Sequence, residues 1–342
     1  MNHVELQLLG RKCLRIPKYL SFSIDEYVKI VYELMQNSWA EQKIQYVIGC
    51  YSREMMPKVI YNVCVIADIH NLEFLADLEQ WHRTKKESLL ESIYFKYLKS
   101  IALYKNNYEQ ATFFDWLIRE EGYDIPRFSA EDYKVAFYVN LVTLLHESAH
   151  FFRNFDEFDT VFEEEIAPDS FFIKRDLYYM KKLKRESKAD YMGLLMLLDN
   201  TRGITKEQMI EMYFRSLVGT SFFRTFISHM NNDYTKKNEV QSYYDRAYVV
   251  IRYLIGMRDI VPGLDMAKVS FELLEDFPNG LSHLGEFMFD KMKSLMEKYE
   301  ELPNSYKETI LCEVIREENE LLEKREYAIY PNSGLGKTEC VQ

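Results

Sequence analysis

The sequence predicts a mainly helical α+β protein with a small β-rich element. Glycine (12 residues) and proline (8 residues) are scarce among 342 residues, so few positions should interrupt long helices. Hydrophobic residues make up 47% of the chain, which is enough to build a large core. Two short runs rich in β-branched and aromatic residues, at 44–51 and 59–66, indicate strands within this helical composition.

The N-terminal part is predicted to contain four helices and these two strands. Ser23-Ile-Asp-Glu26 has the capping-box pattern that opens a helix, and apolar residues continue at helical spacing to about Trp39. The runs 44–51 and 59–66 could pair as a hairpin. Further helices are predicted at about 72–83, 87–104 and 108–121. Gly122-Tyr-Asp-Ile-Pro126 then breaks the helical pattern and could be a domain boundary.

The rest of the chain is predicted to be a helical assembly. Ser129-Ala-Glu-Asp132 starts a long apolar helix that ends near Arg153. Later helices are predicted at about 176–198, from Thr205 onward, and at 239–258, 282–301 and 305–326. We therefore predict an N-terminal α/β region for substrate or partner recognition (1–125), a helical core (126–260), a C-terminal helical region (261–330) and a tail (331–342).

Charge and composition argue against several classes of protein. A net charge of −11 argues against a nucleic-acid-binding protein, because phosphate binding depends on clustered Lys and Arg. The 5 cysteines form no C-x-x-C pair, which argues against a disulfide framework and favours a reducing cytoplasm. No secretory signal is visible at the N-terminus, and apolar runs such as 135–145 are much shorter than the roughly 20 residues that span a bilayer. We expect a soluble cytoplasmic protein with no membrane and no nucleic-acid partner.

The most informative motif is the pentapeptide His146-Glu-Ser-Ala-His150, an H-E-x-x-H pattern in a strongly apolar stretch. Residues four apart share one face of an α-helix, so His146 and His150 can offer two imidazole nitrogens to one metal ion. Glu147 would then lie beside the metal, where its carboxylate can act as a base on bound water. The alternative is a helix with two core histidines that are hydrogen-bonded to other protein groups.

A second motif predicts the third protein ligand that a catalytic zinc needs. In gluzincin metallopeptidases this ligand is a glutamate in an E-x-x-x-D pair on a later helix. The spacing occurs six times in this chain, at Glu73, Glu120, Glu165, Glu186, Glu272 and Glu286. Glu186 and Asp190 are favoured because they fall on an apolar helix stripe, where two carboxylates need strong partners. Glu186 is predicted to bind the metal and Asp190 to accept the ring N–H of His146. The alternative is a surface helix with ordinary charge pairs, such as Glu186 with Lys182.

Together the two motifs resemble the E-x-x-A-D branch of the gluzincins. The soluble Lit-type phage-exclusion peptidases are similar in layout, and the ImmA/IrrE regulatory proteases are another similar soluble group. Gln241-Ser-Tyr-Tyr-Asp-Arg246 resembles the second half of the Lit-type H-P-x-x-x-x-R element, although Val240 and Gln241 replace His-Pro. The resemblance implies a zincin-like core of packed helices, a Zn²⁺ cofactor and a specific protein or peptide substrate, in phage exclusion or stress regulation.

The chemistry expected of such a site is hydrolysis of a peptide bond by zinc-activated water, with Glu147 as the general base. Gluzincins add a donor for the oxyanion, and Arg246, Tyr244 and His229 are candidates by position. An acidic segment at 156–169 lies between the zinc motifs and could be a lid or a solvated loop. Two alternatives remain: a non-catalytic regulatory or interaction protein that retains the fold, and zinc-dependent hydrolysis of another kind of bond.

Overall fold

The computed structural model of the chain describes residues 11–17, 20, 23–36, 44–60, 64–120, 129–150, 177–200, 203–231, 237–256, 263–324 and 326–331. Its elements are, in chain order, α1 (Ile24–Gln36), β1 (Tyr46–Cys50), β2 (Lys58–Ile60), β3 (Cys64–Asp68), α2 (Ile69–Thr84), α3 (Glu87–Tyr104), α4 (Tyr108–Glu120), α5 (Ala130–Ala149), α6 (Leu177–Asn200), α7 (Lys206–Met230), α8 (Lys237–Gly256), α9 (Glu272–Asp290), α10 (Met292–Glu301), α11 (Asn304–Glu323) and β4 (Tyr327–Tyr330). The described residues are mainly helical with one small sheet, which confirms the predicted fold class.

The sheet has four strands in the order β2-β3-β1-β4. β1 and β3 pair in parallel, whereas β2 pairs antiparallel with β3 and β4 pairs antiparallel with β1. The predicted hairpin between the runs 44–51 and 59–66 is therefore wrong, and β4 was not predicted. No tight turn joins the two runs, so tertiary packing decides the pairing. The most buried strands, β1 and β3, become central, and β2 and β4 form the edges.

Most of the predicted helices are present with ends shifted by a few residues. The range predicted as one helix, 282–301, is helical but is divided between two helices, the first of which begins ten residues earlier. The chain instead forms α9, with Pro278 inside it, followed by α10. Pro278 and Gly280 have low helix propensity, so the sequence does not predict a helix here. Tertiary packing favours the helix, because Phe277 is buried and Gly280 lies against the ring of Trp81. The predicted break at 122–126, the acidic segment at 156–169 and residues 332–342 lie outside the described residues.

α5 lies at the centre of the helical assembly. It packs against α2, α6 and α7, and α8 packs in turn against α6 and α7. Buried apolar residues from Leu14 to Ala328 form one continuous cluster around it. The division into four regions stays a prediction, although α2 and α5 make contact across the predicted boundary near residue 125. In the described part of the chain, no helix has an apolar stretch long enough to cross a bilayer.

Candidate metal centre

The H-E-x-x-H pentapeptide lies at the C-terminal end of α5. The helix begins with a capping box, in which Ser129 Oγ accepts from the Asp132 N–H (3.2 Å) and Asp132 Oδ2 accepts from the Ser129 N–H (2.7 Å). Its last helical residue is Ala149, and His150 forms the C-cap. Both histidines therefore lie where the helix dipole carries partial negative charge, which favours a cation.

A close approach of α5 and α6 brings the second motif to the first. A β-carbon added at Gly193 of α6 would lie 2.9 Å from the His146 backbone nitrogen and 3.1 Å from the Leu145 carbonyl carbon. Only glycine allows the two helices to pack this closely. One and two turns before Gly193, α6 carries Asp190 and Glu186, and both carboxylates lie within 4 Å of His146.

His146, His150 and Glu186, which we call the metal-binding group, present three ligand atoms to one point. His146 Nε2 lies 3.2 Å from His150 Nε2 and 3.4 Å from Glu186 Oε2, and the third side, from His150 Nε2 to Glu186 Oε2, is 3.8 Å. Zinc bonds of about 2.0–2.1 Å in a tetrahedron place two ligand atoms about 3.3 Å apart. The residues therefore fit a zinc ion. Among the described His, Cys, Asp and Glu side chains, only these three are grouped closely enough to hold a metal.

Asp190 fixes the orientation of His146 from the side away from the metal-binding group. His146 Nδ1 lies 2.7 Å from Asp190 Oδ1, so the ring N–H at this position donates to the carboxylate. Such a hydrogen bond leaves Nε2 directed at Glu186 and His150 and raises the basicity of a histidine ligand. The Tyr213 hydroxyl of α7 also donates to Asp190, at 3.1 Å. Tyr213 was not predicted, because no local pattern distinguishes it among 26 tyrosines.

The charges of this site shift the pKa values of its members. Burial lowers the pKa of His146, but the Asp190 carboxylate and the hydrogen bond to it outweigh burial and raise the pKa to about 9. Burial and the charge of His146 lower the pKa of His150 to about 4. Burial raises the pKa of Glu186, but the hydrogen bond from His146 and the charge of Arg246 bring it down to about 2. The Asp190 carboxylate thus favours positive charge at His146, whereas the charge of His146 disfavours it at His150.

Arg246 of α8 lies at this site as well. Its Nε donates to Asp190 Oδ2 at 2.7 Å, and one terminal nitrogen donates to Asp190 Oδ1 at 2.6 Å. The other terminal nitrogen is 4.0 Å from Glu186 Oε2. Burial opposes the charged guanidinium, but Asp190 raises its pKa further above the usual range. Arg246 thus forms a bidentate ion pair with Asp190 beside the metal-binding group.

Two predicted oxyanion donors are directed elsewhere. The Tyr244 hydroxyl donates to the Leu274 carbonyl at 3.0 Å, and its ring packs beside Phe277 of α9. Two residues along a helix correspond to a rotation of about 200°, so Tyr244 and Arg246 face opposite ways on α8. His229 Nδ1 is 2.9 Å from the Tyr94 hydroxyl. The described contacts of Tyr244 and His229 do not include the metal-binding group, which argues against both as oxyanion donors.

Glu147 follows His146 on α5 and is partly exposed. No hydrogen bond or ion pair joins its carboxylate to another described residue. The structure therefore brings His146, His150, Glu186, Asp190 and Arg246 together, with Glu147 next to them in the chain. No protein-family model, no curated protein and no solved structure matches the chain. The chemistry of this site is the basis for a functional assignment.

Proposed function

We propose that the protein is a zinc-dependent endopeptidase of the gluzincin type, with His146, His150 and Glu186 as metal ligands and Glu147 as the general base. One observation carries the proposal: α5 and α6 converge so that three ligand atoms lie at the spacing of a tetrahedral zinc site. Two imidazoles and a carboxylate suit zinc better than magnesium or calcium, which prefer oxygen ligands. The peptide substrate and the setting in phage exclusion or stress regulation follow from the resemblance of the motifs.

Zinc bound to this group would act as a Lewis acid towards water and the scissile carbonyl. Glu147 would accept the proton of the attacking water and deliver it to the leaving amine. Asp190 holds the His146 ring in one tautomer and one orientation throughout. Structural zinc sites have four protein ligands, whereas the described residues supply three, which favours a catalytic role.

The test compares the wild type with Glu147→Gln and with Glu131→Gln, a control at an exposed position of the same helix. Zinc per protein is measured by elemental analysis, and cleavage of a proteome-derived peptide library by mass spectrometry. We expect one zinc in all three proteins. Cleavage should fall by about 10²–10⁴-fold in Glu147→Gln alone, because general-base catalysis contributes about that factor.

Three outcomes would contradict the proposal in different ways. A wild type that binds no zinc would exclude the metal site. Zinc binding without cleavage by any variant would favour the alternative of a non-catalytic regulatory protein. Equal cleavage by wild type and Glu147→Gln would exclude Glu147 as the base. Plating efficiency of phages on cells that carry wild type or Glu147→Gln tests the proposed biological setting.

A further inference from the structure

We propose that Arg246 is a positioning residue of the metal centre: it holds Asp190, Asp190 holds His146, and its guanidinium does not contact the substrate. This inference rests on the proposed metal site and extends it to α8. It also assigns Arg246 a role other than that of the oxyanion donor expected from its place in the sequence.

Asp190 accepts hydrogen bonds from four donors. Its Oδ1 lies 2.7 Å from His146 Nδ1 and 2.6 Å from Arg246, and its Oδ2 lies 2.7 Å from Arg246 and 3.1 Å from the Tyr213 hydroxyl. A carboxylate has about four lone-pair positions, and four donors therefore occupy them. Two of the four donors come from Arg246. The fork of the guanidinium consequently fixes the plane of the carboxylate, and that plane sets the direction in which Asp190 holds His146.

The three guanidinium nitrogens of Arg246 have different partners. Two of them donate to Asp190, and the third is 4.0 Å from Glu186 Oε2. Side chains of four helices therefore meet at Asp190: His146 from α5, Asp190 itself from α6, Tyr213 from α7 and Arg246 from α8. To reach a substrate with either of the two nitrogens that donate to Asp190, Arg246 would have to break this ion pair. Holding the centre together is the role that its contacts support.

The positive charge of Arg246 offsets the cost of burying the Asp190 carboxylate. The Asp190 side chain is 3% exposed, and a carboxylate this buried is costly unless a cation is paired with it. Arg246 supplies that charge permanently, because a guanidinium does not lose its proton in a protein. Asp190 can then serve His146 as an oriented acceptor while His146 donates its Nε2 lone pair to a metal. Without Arg246, Asp190 would keep only the donors from His146 and Tyr213, and its buried charge would lose the cation paired with it.

A second buried Arg–carboxylate fork provides a matched control. Arg53 donates through two nitrogens to Glu318 Oε2, at 3.0 and 2.6 Å, away from the metal-binding group. The side-chain exposures are 11% and 1% for this pair and 12% and 3% for Arg246 and Asp190. Arg→Lys at either position keeps the positive charge and removes the fork. The two substitutions should therefore perturb folding to a similar degree, whereas only one lies beside the metal centre.

The experiment measures the dissociation constant of Zn²⁺ for the purified full chain, by competition with a chromophoric chelator and without substrate. The variants are Arg246→Lys, Arg53→Lys, Asp190→Asn and the double variant Asp190→Asn/Arg246→Lys. We expect Arg246→Lys and Asp190→Asn each to weaken zinc binding by about 10–100-fold, the usual effect of losing a group that orients a ligand. Arg53→Lys should bind zinc within about twofold of the wild type, because distant sites act independently.

The double variant tests whether Arg246 acts through Asp190. If it does, Asp190→Asn/Arg246→Lys should bind zinc no more weakly than Asp190→Asn alone, because coupled residues are not additive. If Arg246→Lys weakens zinc binding by the same factor in Asp190→Asn as in the wild type, the inference is overturned. The inference would also be overturned if Arg246→Lys kept the zinc affinity of the wild type but showed a large fall in kcat for peptide cleavage. That result is expected of an oxyanion donor.

Failure of the wild type to bind zinc would exclude the metal site itself and is thus distinguishable from failure of this inference. Circular dichroism and the midpoint of urea unfolding check that each variant folds. Should Arg246→Lys fail to fold, the comparison of Asp190→Asn with Asp190→Asn/Arg246→Gln replaces it, since neither buried charge then remains in the double variant. A further loss of zinc affinity in that double variant would overturn the inference.

Discussion

Two pairs of acidic residues share the E-x-x-x-D spacing and lie on different helices of the core. Glu73 and Asp77 of α2 are inaccessible to solvent, and Lys96 of α3 lies between them, with its Nζ 2.6 Å from Glu73 Oε1 and 2.7 Å from Asp77 Oδ2. Glu186 and Asp190 of α6 instead face two histidines and an arginine. The same local pattern thus leads to a lysine-filled site in one region and to a candidate metal site in the other.

The difference lies in the partners of the carboxylates. At the α2 pair, an ammonium group from the chain itself supplies the positive charge, and the hydroxyls of Tyr51 and Tyr97 donate to Glu73 and Asp77, each at 2.7 Å. These partners donate to the carboxylates, and the ammonium group has no lone pair to offer a metal. At the α6 pair, the imidazoles can present lone pairs to a cation that is not part of the chain. The spacing of two carboxylates therefore does not define a metal site until the residues opposite them are known.

The largest effect is expected when the two glutamates are compared directly. Glu186→Gln removes a charged ligand from the metal-binding group, so we expect stoichiometric zinc to be lost. Glu73→Gln removes the corresponding charge from the lysine-filled site, and zinc content should stay at that of the wild type. Elemental analysis after dialysis against buffer with trace zinc measures both. Zinc retained by Glu186→Gln, or lost from Glu73→Gln, would contradict the distinction between the two sites.

A smaller but substantial effect is expected at Lys96. Lys96→Met leaves two buried carboxylates without their cation, and loss of one partner of a buried ion pair costs about 3–5 kcal/mol. Urea unfolding should show this loss of stability, both with zinc and with a chelator. A Lys29→Met control, which removes a pair with Glu33 that is more than half exposed, should change the free energy by no more than about 1 kcal/mol.

Lys96→Met also tests whether the two regions are independent. Zinc affinity per folded molecule should equal that of the wild type, since the ion pairs of Lys96 are with the carboxylates of α2. Recovery of the lost stability by added zinc would contradict this, because it would mean that the metal occupies the place left by the ammonium group. The α2 pair would then be a potential metal site, as the metal-binding group is.

Much of this arrangement could be predicted from local sequence signals. The capping box at Ser129 and the apolar spacing after it indicate α5. The apolar stripe of α6 and its position after the histidines together favour Glu186 and Asp190 over the other pairs. The partners that come from distant segments could not be predicted in this way. Tertiary packing brings Tyr213 and Lys96 to their carboxylates and pairs β1 with β3 in parallel. No periodic pattern in the sequence indicates these contacts.

The close contact at Gly193 could not be predicted from the sequence either, because a glycine inside a predicted helix does not reveal which group packs against it. The structure shows that the approaching group is the His146 backbone. The spacing between α5 and α6, and with it the distance from the histidines to Glu186, depends on this contact. The α2 pair has no comparable requirement, because a long, flexible lysine side chain can reach its carboxylates.

The smallest effect is therefore expected from Gly193→Ala. The added β-carbon would lie 2.9 Å from the His146 nitrogen, and relief of such crowding in a packed interior costs about 1–3 kcal/mol. Alanine also gains about 1 kcal/mol of helix propensity, which offsets part of the cost. Gly285→Ala in α9 is the control, since a β-carbon there meets no atom within 4 Å and should stabilise the protein. Urea unfolding measures both variants, and the chelator competition measures zinc affinity, which should fall for Gly193→Ala and stay unchanged for Gly285→Ala. Unchanged zinc affinity in a destabilised Gly193→Ala would mean that the metal-binding group tolerates a wider spacing of α5 and α6, and that flexible side chains set the ligand distances in both regions.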